Sequence, residues 1–373
     1  MRVVLTGGGT GGHFFPLIAV AEELRAITVS KKIVDVQFMY VGAEVHGLKV
    51  FEREDIAYKF IYAGKLRRYA SVSNIGDLFR IPVGIIQSFA ILFSYYPDVI
   101  FSKGGFGAVP VVIAGWLLRI PIFIHESDSV PGLANKWSSK FARRIAVSFP
   151  DTVHMFPVKK TAYVGNPVRL SLAKGSKESA KQVFQLAGGR KIILILGGSQ
   201  GSQVINEEFL KMLPKLLDHY EIIHQCGTKN IHDVESEARS VLSTEQEKFY
   251  HPMGFLTQEE LSSAFAACDI IVSRAGSGSI FEIALVGKPS ILIPLPEAAN
   301  DHQRLNAHAY AENGATVIIE QANFYPGIVS TKIEAILNDE GVYRKMSEMA
   351  KTFSRPDAAA IIAKELIKLA GLE

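Results

Sequence analysis

The sequence predicts an α/β protein built from two Rossmann-like units, each a parallel sheet covered by helices on both faces. Three observations carry that expectation. The strand-like runs Arg2–Leu5, Val99–Ser102 and Lys191–Leu196 are nearly continuously apolar rather than alternating, as in strands buried on both faces. Such runs alternate with amphipathic stretches along the chain, the signature of helices wrapped around a parallel sheet. The plan also begins twice, since a strand enters a glycine loop and a helix near residue 6 and again near residue 196. A length of 373 residues suits two domains of about 150–200 residues each.

In the first half, strands are expected at Arg2–Leu5, Val36–Val41, Val99–Ser102, Ile120–His125 and Ile145–Val147, with helices at Phe14–Ala26, Val109–Leu118 and Ala134–Ala142. Gly165-Asn166-Pro167 and the polar stretch Lys174–Ser179 mark a linker near residues 164–175. The domains are therefore 1–165 and 166–355, and a last helix, about Asp357–Ala370, packs on either one by its pattern. In the second half, strands are expected at Lys191–Leu196, Glu221–Gln225, Ile270–Ser273, Ser290–Pro294 and Thr316–Ile319, with a helix at Gln203–Leu217.

Composition narrows the chemistry. Hydrophobic residues make up 48% and charged residues 21% of the chain, which is globular rather than disordered. A net charge of +3 gives no reason to expect a nucleic-acid partner. The two cysteines, Cys226 and Cys268, lie outside any metal-ligand spacing and fit a reducing compartment. No secretory signal is visible before the first strand. Ile81–Tyr96 is short and interrupted by Pro82, Gly84, Gln87 and Ser88, and Val109–Ile124 carries Arg119 and Pro121. Neither reaches the roughly 20 apolar residues of a spanning helix.

The chemistry lies at strand ends. Gly7-Gly8-Gly9-Thr10-Gly11-Gly12-His13 joins the first strand to its helix. Glycines admit close backbone approach, and the free N–H groups of a helix start favour an anion. The loop satisfies G-x-G-x-x-G, but Glu23 and Glu44 are both misplaced for the ribose carboxylate of a dinucleotide site. Ser102-Lys103-Gly104-Gly105-Phe106-Gly107 and Gly197-Gly198-Ser199-Gln200-Gly201-Ser202 repeat the arrangement. One such loop is as readily a structural turn; three, each opening a helix at the end of a parallel strand, point to ligands. Ser273–Glu282 adds a helix start of small residues, with Glu282 either on ribose hydroxyls or simply favoured by the helix dipole. Asn300-Asp301-His302-Gln303 is placed for a sugar, although Asn300 and Asp301 serve equally well as N-caps.

The ordered motifs TGGGTGGH, SKGGFG, HES…PGLANK, GNPVR, GGSQGS, SRAGSGSIFE and DHQ…NA resemble the MurG family of inverting GT-B glycosyltransferases, from Thr6 to about Ala307. The resemblance implies two Rossmann-like domains with a cleft between them, the first facing acceptor and membrane, joined by the C-terminal helix 356–373, and the second holding the donor. It implies transfer of N-acetylglucosamine (GlcNAc) from UDP-GlcNAc to the 4-hydroxyl of N-acetylmuramic acid in undecaprenyl-diphospho-N-acetylmuramoyl-pentapeptide (lipid I), giving lipid II for peptidoglycan synthesis. Thr10, Gly11 and Gly12 match the loop where the two diphosphates meet, and His13 matches a candidate general base. Arg169 and Ser199 match positions near the donor diphosphate. Phe255 and Leu256 lie where backbone reads the uracil edge. Ser277 to Glu282 match the helix holding α-phosphate and ribose, and Gln303 matches a contact to GlcNAc hydroxyls. Glu126 is a second catalytic candidate. Gly105 and Asp128 are candidates on the acceptor side; Asp128 stands where many relatives carry an amide.

The implied partners are UDP-GlcNAc, the lipid I acceptor, an anionic inner-leaflet surface at the cytoplasmic face of a bacterial plasma membrane, and proteins of cell-wall synthesis or division. No cofactor and no metal are implied. In the sequence the nearest thing to a D-x-D pair is Glu126-x-Asp128, so helix dipoles, loop N–H groups and Arg169 would stabilise departing UDP. Lys65, Arg67, Arg68 and Arg80 surround Ile75, Leu78, Phe79, Ile81 and Val83, with Trp116, Arg119, Lys136 and Lys140 later in the same domain. That pattern fits a patch on anionic lipid or a core helix with a basic edge. Two further readings are a GT-B transferase acting on another acceptor and a nicotinamide- or sugar-nucleotide-binding protein; acceptor-dependent UDP release separates them.

Overall fold

A computed structural model describes residues 1–8, 11–30, 35–43, 48–64, 73–198 and 201–372; the side chains of residues 11, 13, 48, 49 and 73–79 lie outside that description. The chain forms two compact units, Met1–Arg169 with Arg355–Glu373, and Leu170–Ser354.

The first unit contains β1 (Arg2–Thr6), β2 (Gln37–Gly42), β3 (Ile56–Phe60), β4 (Val99–Ser102), β5 (Ile122–Glu126), β6 (Arg144–Val147) and β7 (Thr161–Tyr163). They pair in parallel in the order β3-β2-β1-β4-β5-β6-β7. The chain starts at the centre, runs to one edge, and returns to fill the other, so β1 and β4 bracket the point where the order reverses. Side chains alternate across the sheet. Val3 and Leu5 enter a core with Leu17, Val20 and Leu24 of the helix Gly11–Ser30 and with Ile362 and Leu366 of the helix Ala358–Leu369. Val4 enters a core on the other side with Leu92 of the helix Ser73–Tyr95 and with Val111 and Val112 of the helix Val109–Leu117. The last helix thus belongs to the first unit.

The second unit contains β8 (Lys191–Leu196), β9 (Tyr220–Gln225), β10 (Tyr250–Met253), β11 (Ile270–Ser273), β12 (Ser290–Leu292) and β13 (Thr316–Ile318). Their parallel order, β10-β9-β8-β11-β12-β13, follows the same plan. Ile193 and Ile195 pack with Phe209 and Leu213 of the helix Gln203–Leu216.

The structure departs from the sequence reading in definable places. Three strands were not anticipated, β3, β7 and β10, and all three are sheet edges. β3 exposes four of its five residues, β7 has only three residues, none fully buried, and β10 carries Pro252; edge strands lack the apolar runs that identify central ones. The helix expected over Ala134–Ala142 is confined to Leu133–Ser138. Part of the polar stretch Lys174–Ser179 is the start of the helix Lys177–Phe184, whose N-cap Ser176 accepts the Ser179 N–H at 3.0 Å.

Ile81–Tyr96 falls almost wholly within the helix Ser73–Tyr95. Its inner face, Gly84, Ser88 and Leu92, is buried. A Cβ on Gly84 would stand 2.0 Å from the Tyr62 carbonyl oxygen, and Gln87 Oε1 accepts the Tyr62 N–H at 2.9 Å. Its outer face is also apolar, for Val83, Ile86, Phe89 and Phe93 are 44, 69, 39 and 65% exposed. Among the described residues no helix is long and apolar enough to cross a membrane.

Candidate functional site

In each unit the candidate residues follow the carboxyl ends of parallel strands, where doubly wound sheets place ligands. Thr10 and Ser199 lie outside the described residues, as does the His13 side chain; Gly11 and Gly12 open the helix Gly11–Ser30.

In the first unit two glycine loops lie backbone against backbone. Gly105 has φ +79°, and a Cβ there would stand 2.8 Å from Gly8 Cα and 2.9 Å from Gly8 N. Glycine is required there twice over, by dihedral and by contact. The fully buried Tyr40 lies below, its hydroxyl 3.1 Å from both the Gly7 and Ala43 carbonyl oxygens. With one proton, it donates to one of them at a time.

Behind the Gly104–Gly107 loop lies a buried polar cluster that sequence reasoning missed. Lys103 is fully buried. Its Nζ lies 2.6 Å from His125 Nδ1 and 3.1 Å from Asn166 Oδ1, and it also donates to Ser127 Oγ. His125 Nε2 lies 2.8 Å from the Gly165 carbonyl oxygen. A carbonyl only accepts, so Nε2 carries the imidazole proton and Nδ1 accepts from the lysine. Burial pulls the Lys103 ammonium down to about 7, opposed by the Glu126 and Asp128 carboxylates. Burial and Lys103 hold His125 well below its ordinary value, so the ring is neutral.

Glu126 ends β5 and is 3% exposed. Its carboxylate accepts the N–H groups of Asp128 at 3.1 Å and Gly132 at 3.0 Å, and Asn135 Nδ2 at 3.0 Å. Burial and Asp128 push its pKa up to about 7, against those hydrogen bonds. It therefore anchors the loop carrying Asp128 as well as being an acid–base candidate. Among the described residues Asn135 Oδ1 and Asn166 Nδ2 are buried without partners; such groups cluster where function overrides stability.

Arg169, expected in the second domain, is the last residue of the first unit. It is 5% exposed, with its guanidinium carbon 4.1 Å from the centre of the Phe15 ring.

The second unit's strand ends are more open. The helix Ser277–Val286 starts at Gly276 with no side-chain cap and no acid in its first turn. A Cβ on Gly276 or Gly278 would meet nothing within 4 Å. The first N–H groups of this helix are thus uncapped by side chains and approachable by an anion. Ser277 is buried and Glu282, one turn on, is half-buried. Arg274, which sequence reasoning left without a role, donates from Nη2 to Ser202 Oγ at 2.6 Å and from Nη1 to the Ile293 carbonyl at 3.2 Å. Ser202 caps the helix Gln203–Leu216, so one buried guanidinium ties together the two glycine-rich loops of this unit.

Gln225 was also missed. Its Nε2 donates to the Gly198 carbonyl at 3.2 Å and its Oε1 accepts the Leu256 N–H at 3.3 Å. The Leu256 amide is thereby already engaged. Gln303 Oε1 accepts the Leu295 N–H at 3.1 Å. The N-cap reading of Asn300 and Asp301 is corrected. Asp301 occupies the cap position without a side-chain cap bond, and both residues are left-handed, at φ 58° and 56°. Two successive non-glycine residues in that region store strain of about 1–3 kcal/mol each. Among the described residues no group of three His, Cys, Asp or Glu side chains could hold a metal ion.

The motifs quoted from the sequence contain most of what was missed: Lys103 in SKGGFG, His125 in HES, Asn166 in GNPVR, Arg274 in SRAGSGS. What the sequence could not display is that two of these, His125 and Asn166, converge on the ammonium of a third, Lys103.

Comparisons with known proteins agree with this architecture. Residues 3–147 match the glycosyltransferase family 28 N-terminal domain and residues 192–362 its C-terminal domain. A protein of Bacillus thuringiensis subsp. konkukian (strain 97-27), named UDP-N-acetylglucosamine–N-acetylmuramyl-(pentapeptide) pyrophosphoryl-undecaprenol N-acetylglucosamine transferase 2, is 36% identical over 346 residues, 92% of this chain and 93% of its own. The crystal structure of Acinetobacter baumannii MurG superposes with a TM-score of 0.73 at 24% identity, covering 98% of this chain and 99% of that one. A UDP-GlcNAc 2-epimerase from Neisseria meningitidis reaches 0.70 at 16% identity, covering 99% and 100%. The fold alone therefore does not select the chemistry, and the sequence similarity does: the chain is a member of glycosyltransferase family 28, in the family of UDP-N-acetylglucosamine–N-acetylmuramyl-(pentapeptide) pyrophosphoryl-undecaprenol N-acetylglucosamine transferases.

Proposed function

We propose that this enzyme transfers GlcNAc from UDP-GlcNAc to the 4-hydroxyl of the N-acetylmuramoyl residue of lipid I, giving lipid II, with inversion at the anomeric carbon. The observation that carries the reading is 36% identity, over nearly the full length of both chains, to a transferase so named.

The second unit takes the donor. The uncapped start of the helix at Ser277 and the loop at Gly197–Ser202 receive the diphosphate, Glu282 the ribose hydroxyls, backbone near Leu256 the uracil, and Gln303 the GlcNAc hydroxyls through its amide nitrogen. Ser199, Arg169, Thr10, Gly11 and Gly12 complete the diphosphate contacts. The first unit takes the acceptor, against Gly105 and Asp128. His13 removes the proton of the 4-hydroxyl, whose oxygen attacks the anomeric carbon while the bond to UDP breaks on the opposite face. Helix starts and the buried charge of Arg274 stabilise the departing diphosphate. Glu126 shapes the acceptor loop and, as an acid–base group poised near neutrality, is the second candidate for the proton. The apolar outer face of the helix Ser73–Tyr95 supports peripheral attachment at the cytoplasmic face of the plasma membrane.

The test is UDP release from UDP-GlcNAc with and without a lipid I analogue. Release that depends on the analogue is expected; release without it, or epimerisation of the sugar, overturns the reading. In the same assay His13→Ala lowers kcat by about 100-fold or more if His13 is the base. A raised KM with unchanged kcat removes it from that role.

A further inference from the structure

Lys103, His125–Ser127 and Gly165-Asn166 come from three separate segments, following β4, ending β5 and following β7, and one ammonium joins them. Lysine is rarely buried completely. A methionine of similar length would fill the volume without desolvating a charge, and a neutral amide could make a tie. What lysine adds is a charge that can be present or absent.

The groups that face it are named from every segment around it. His125 and Ser127 come from the end of β5, Asn166 from the turn after β7, and the Glu126 and Asp128 carboxylates act on it from beside them. The Asn135 side chain, 2.4 Å from where a Gly104 Cβ would stand, closes the cluster toward the glycine loop and donates to Glu126. Hydrogen bonds run from Lys103 through the His125 ring to the Gly165 carbonyl, and from Asn135 and Gly132 to Glu126 beside the loop that carries Asp128; Asn135 Nδ2 joins the two sets by also donating to the His125 carbonyl at 3.2 Å.

We propose that Lys103 is a positioning residue whose buried ammonium holds the ends of β4, β5 and the 165–166 turn in one arrangement and supplies the cation that favours the ionised form of Glu126. The inference rests on the transferase reading above, in which this edge of the first unit takes the acceptor. It goes beyond that reading by making the acceptor loop's charge state depend on a residue that substrate does not touch. Lys103 and Glu126 are both displaced toward about 7 by burial, from opposite sides. The Glu126 carboxylate favours the charged form of Lys103, and by reciprocity the Lys103 cation favours the ionised form of Glu126.

Lys103→Gln and Lys103→Met test this, with folding checked by thermal melting. Glutamine keeps a donor and loses the charge; methionine loses both. With each, kcat is expected to fall about tenfold at neutral pH, the change produced when a group's pKa moves by one unit. KM for UDP-GlcNAc stays within about twofold, since donor contacts are untouched. The acidic limb of the kcat–pH profile moves to higher pH because Glu126 has lost its cation. A Lys103→Gln enzyme with the parental rate and profile overturns the proposal. So does a reduced rate with an unmoved profile, which is what a mechanical tie alone gives.

Should neither variant fold, the intact protein still decides. With lysine labelled by 13C at Cε, one resonance is expected to titrate near neutrality, apart from ordinary lysines at about 10.4; titration of every resonance with the ordinary group overturns the proposal. That titration needs no substrate. A parent enzyme without acceptor-dependent UDP release would defeat the transferase reading separately, leaving Lys103 to be judged by the resonance.

Discussion

The two units share one topology, and each uses its glycines in two ways: Gly197 and Gly201 of the second unit are packed on backbone, while Gly12 of the first has nothing near where a Cβ would stand. In the first, Gly105 is pressed onto Gly8, and the space behind is filled by Lys103, His125 and Glu126. In the second, Gly198, Gly276 and Gly278 have nothing near where a Cβ would stand, and one buried arginine joins the loops from below. The same residue type therefore answers two demands: close packing of chain on chain at Gly105, Gly197 and Gly201, and open space at Gly198, Gly276 and Gly278.

The sharpest way to break that contrast is a matched pair of alanines. Gly105→Ala meets both a positive φ and the Gly8 backbone, and should cost about 3 kcal/mol of stability with most of the activity. Gly278→Ala, in an open helix turn, should change stability by less than about 1 kcal/mol. It should nonetheless raise KM for UDP-GlcNAc about tenfold, the loss of about 1.4 kcal/mol of donor binding. Melting curves and donor kinetics of the two proteins check the pair; equal behaviour would erase the distinction.

A second difference is at the surface. Among the described residues, exposed large apolar side chains in the second unit sit one or two to an element, whereas four lie along the helix Ser73–Tyr95. Trp116, at the end of the neighbouring helix, is 52% exposed and lies 5.0 Å, ring to ring, from Phe141. Replacing Ile86 and Phe93 together by aspartate should lower partition onto vesicles containing anionic lipid about tenfold or more, given about 1.5–3 kcal/mol for each apolar side chain withdrawn from water. The melting temperature should stay as it was, because neither residue is in the core. Unchanged partition would show that this face does not meet lipid.

A third difference concerns the acid buried behind the first unit's glycine loops. The folded-state pKa of Glu126 is raised to about 7, above an unfolded value of about 4.3. The folded protein then binds the extra proton between those values, so this group's contribution to stability falls as pH rises from about 4.3 to 7 and is flat above. Glu126→Gln should flatten melting temperature against pH in that window alone. A parent and variant with parallel curves would place the ordinary carboxyl value in the folded state.

Central strands were legible because both of their faces are buried and their sequences say so. β1, β4, β8 and β11 appear within a residue of expectation. The edges were not, since β3 and β10 have composition fit for solvent. The glycine loops were legible as loops, but not which of their glycines are packed on backbone and which stand open. Lys103 stood in the loop Ser102–Gly107 with no role assigned. Its burial depends on His125 and Asn166 arriving from 22 and 63 residues away, which no local pattern encodes. The left-handed pair Asn300-Asp301 was hidden because each residue alone is a plausible cap.

The helix Ala358–Leu369 lies against the helix Gly11–Ser30 in the first unit's core. During synthesis this has a consequence for order. The second unit, Leu170–Ser354, is contiguous and can close as soon as its own residues have emerged. The first must wait with Leu17, Val20 and Leu24 uncovered until the last stretch of chain arrives to complete it. The unit that starts the chain is therefore the last to finish, and throughout elongation its open core is the surface most in need of a chaperone.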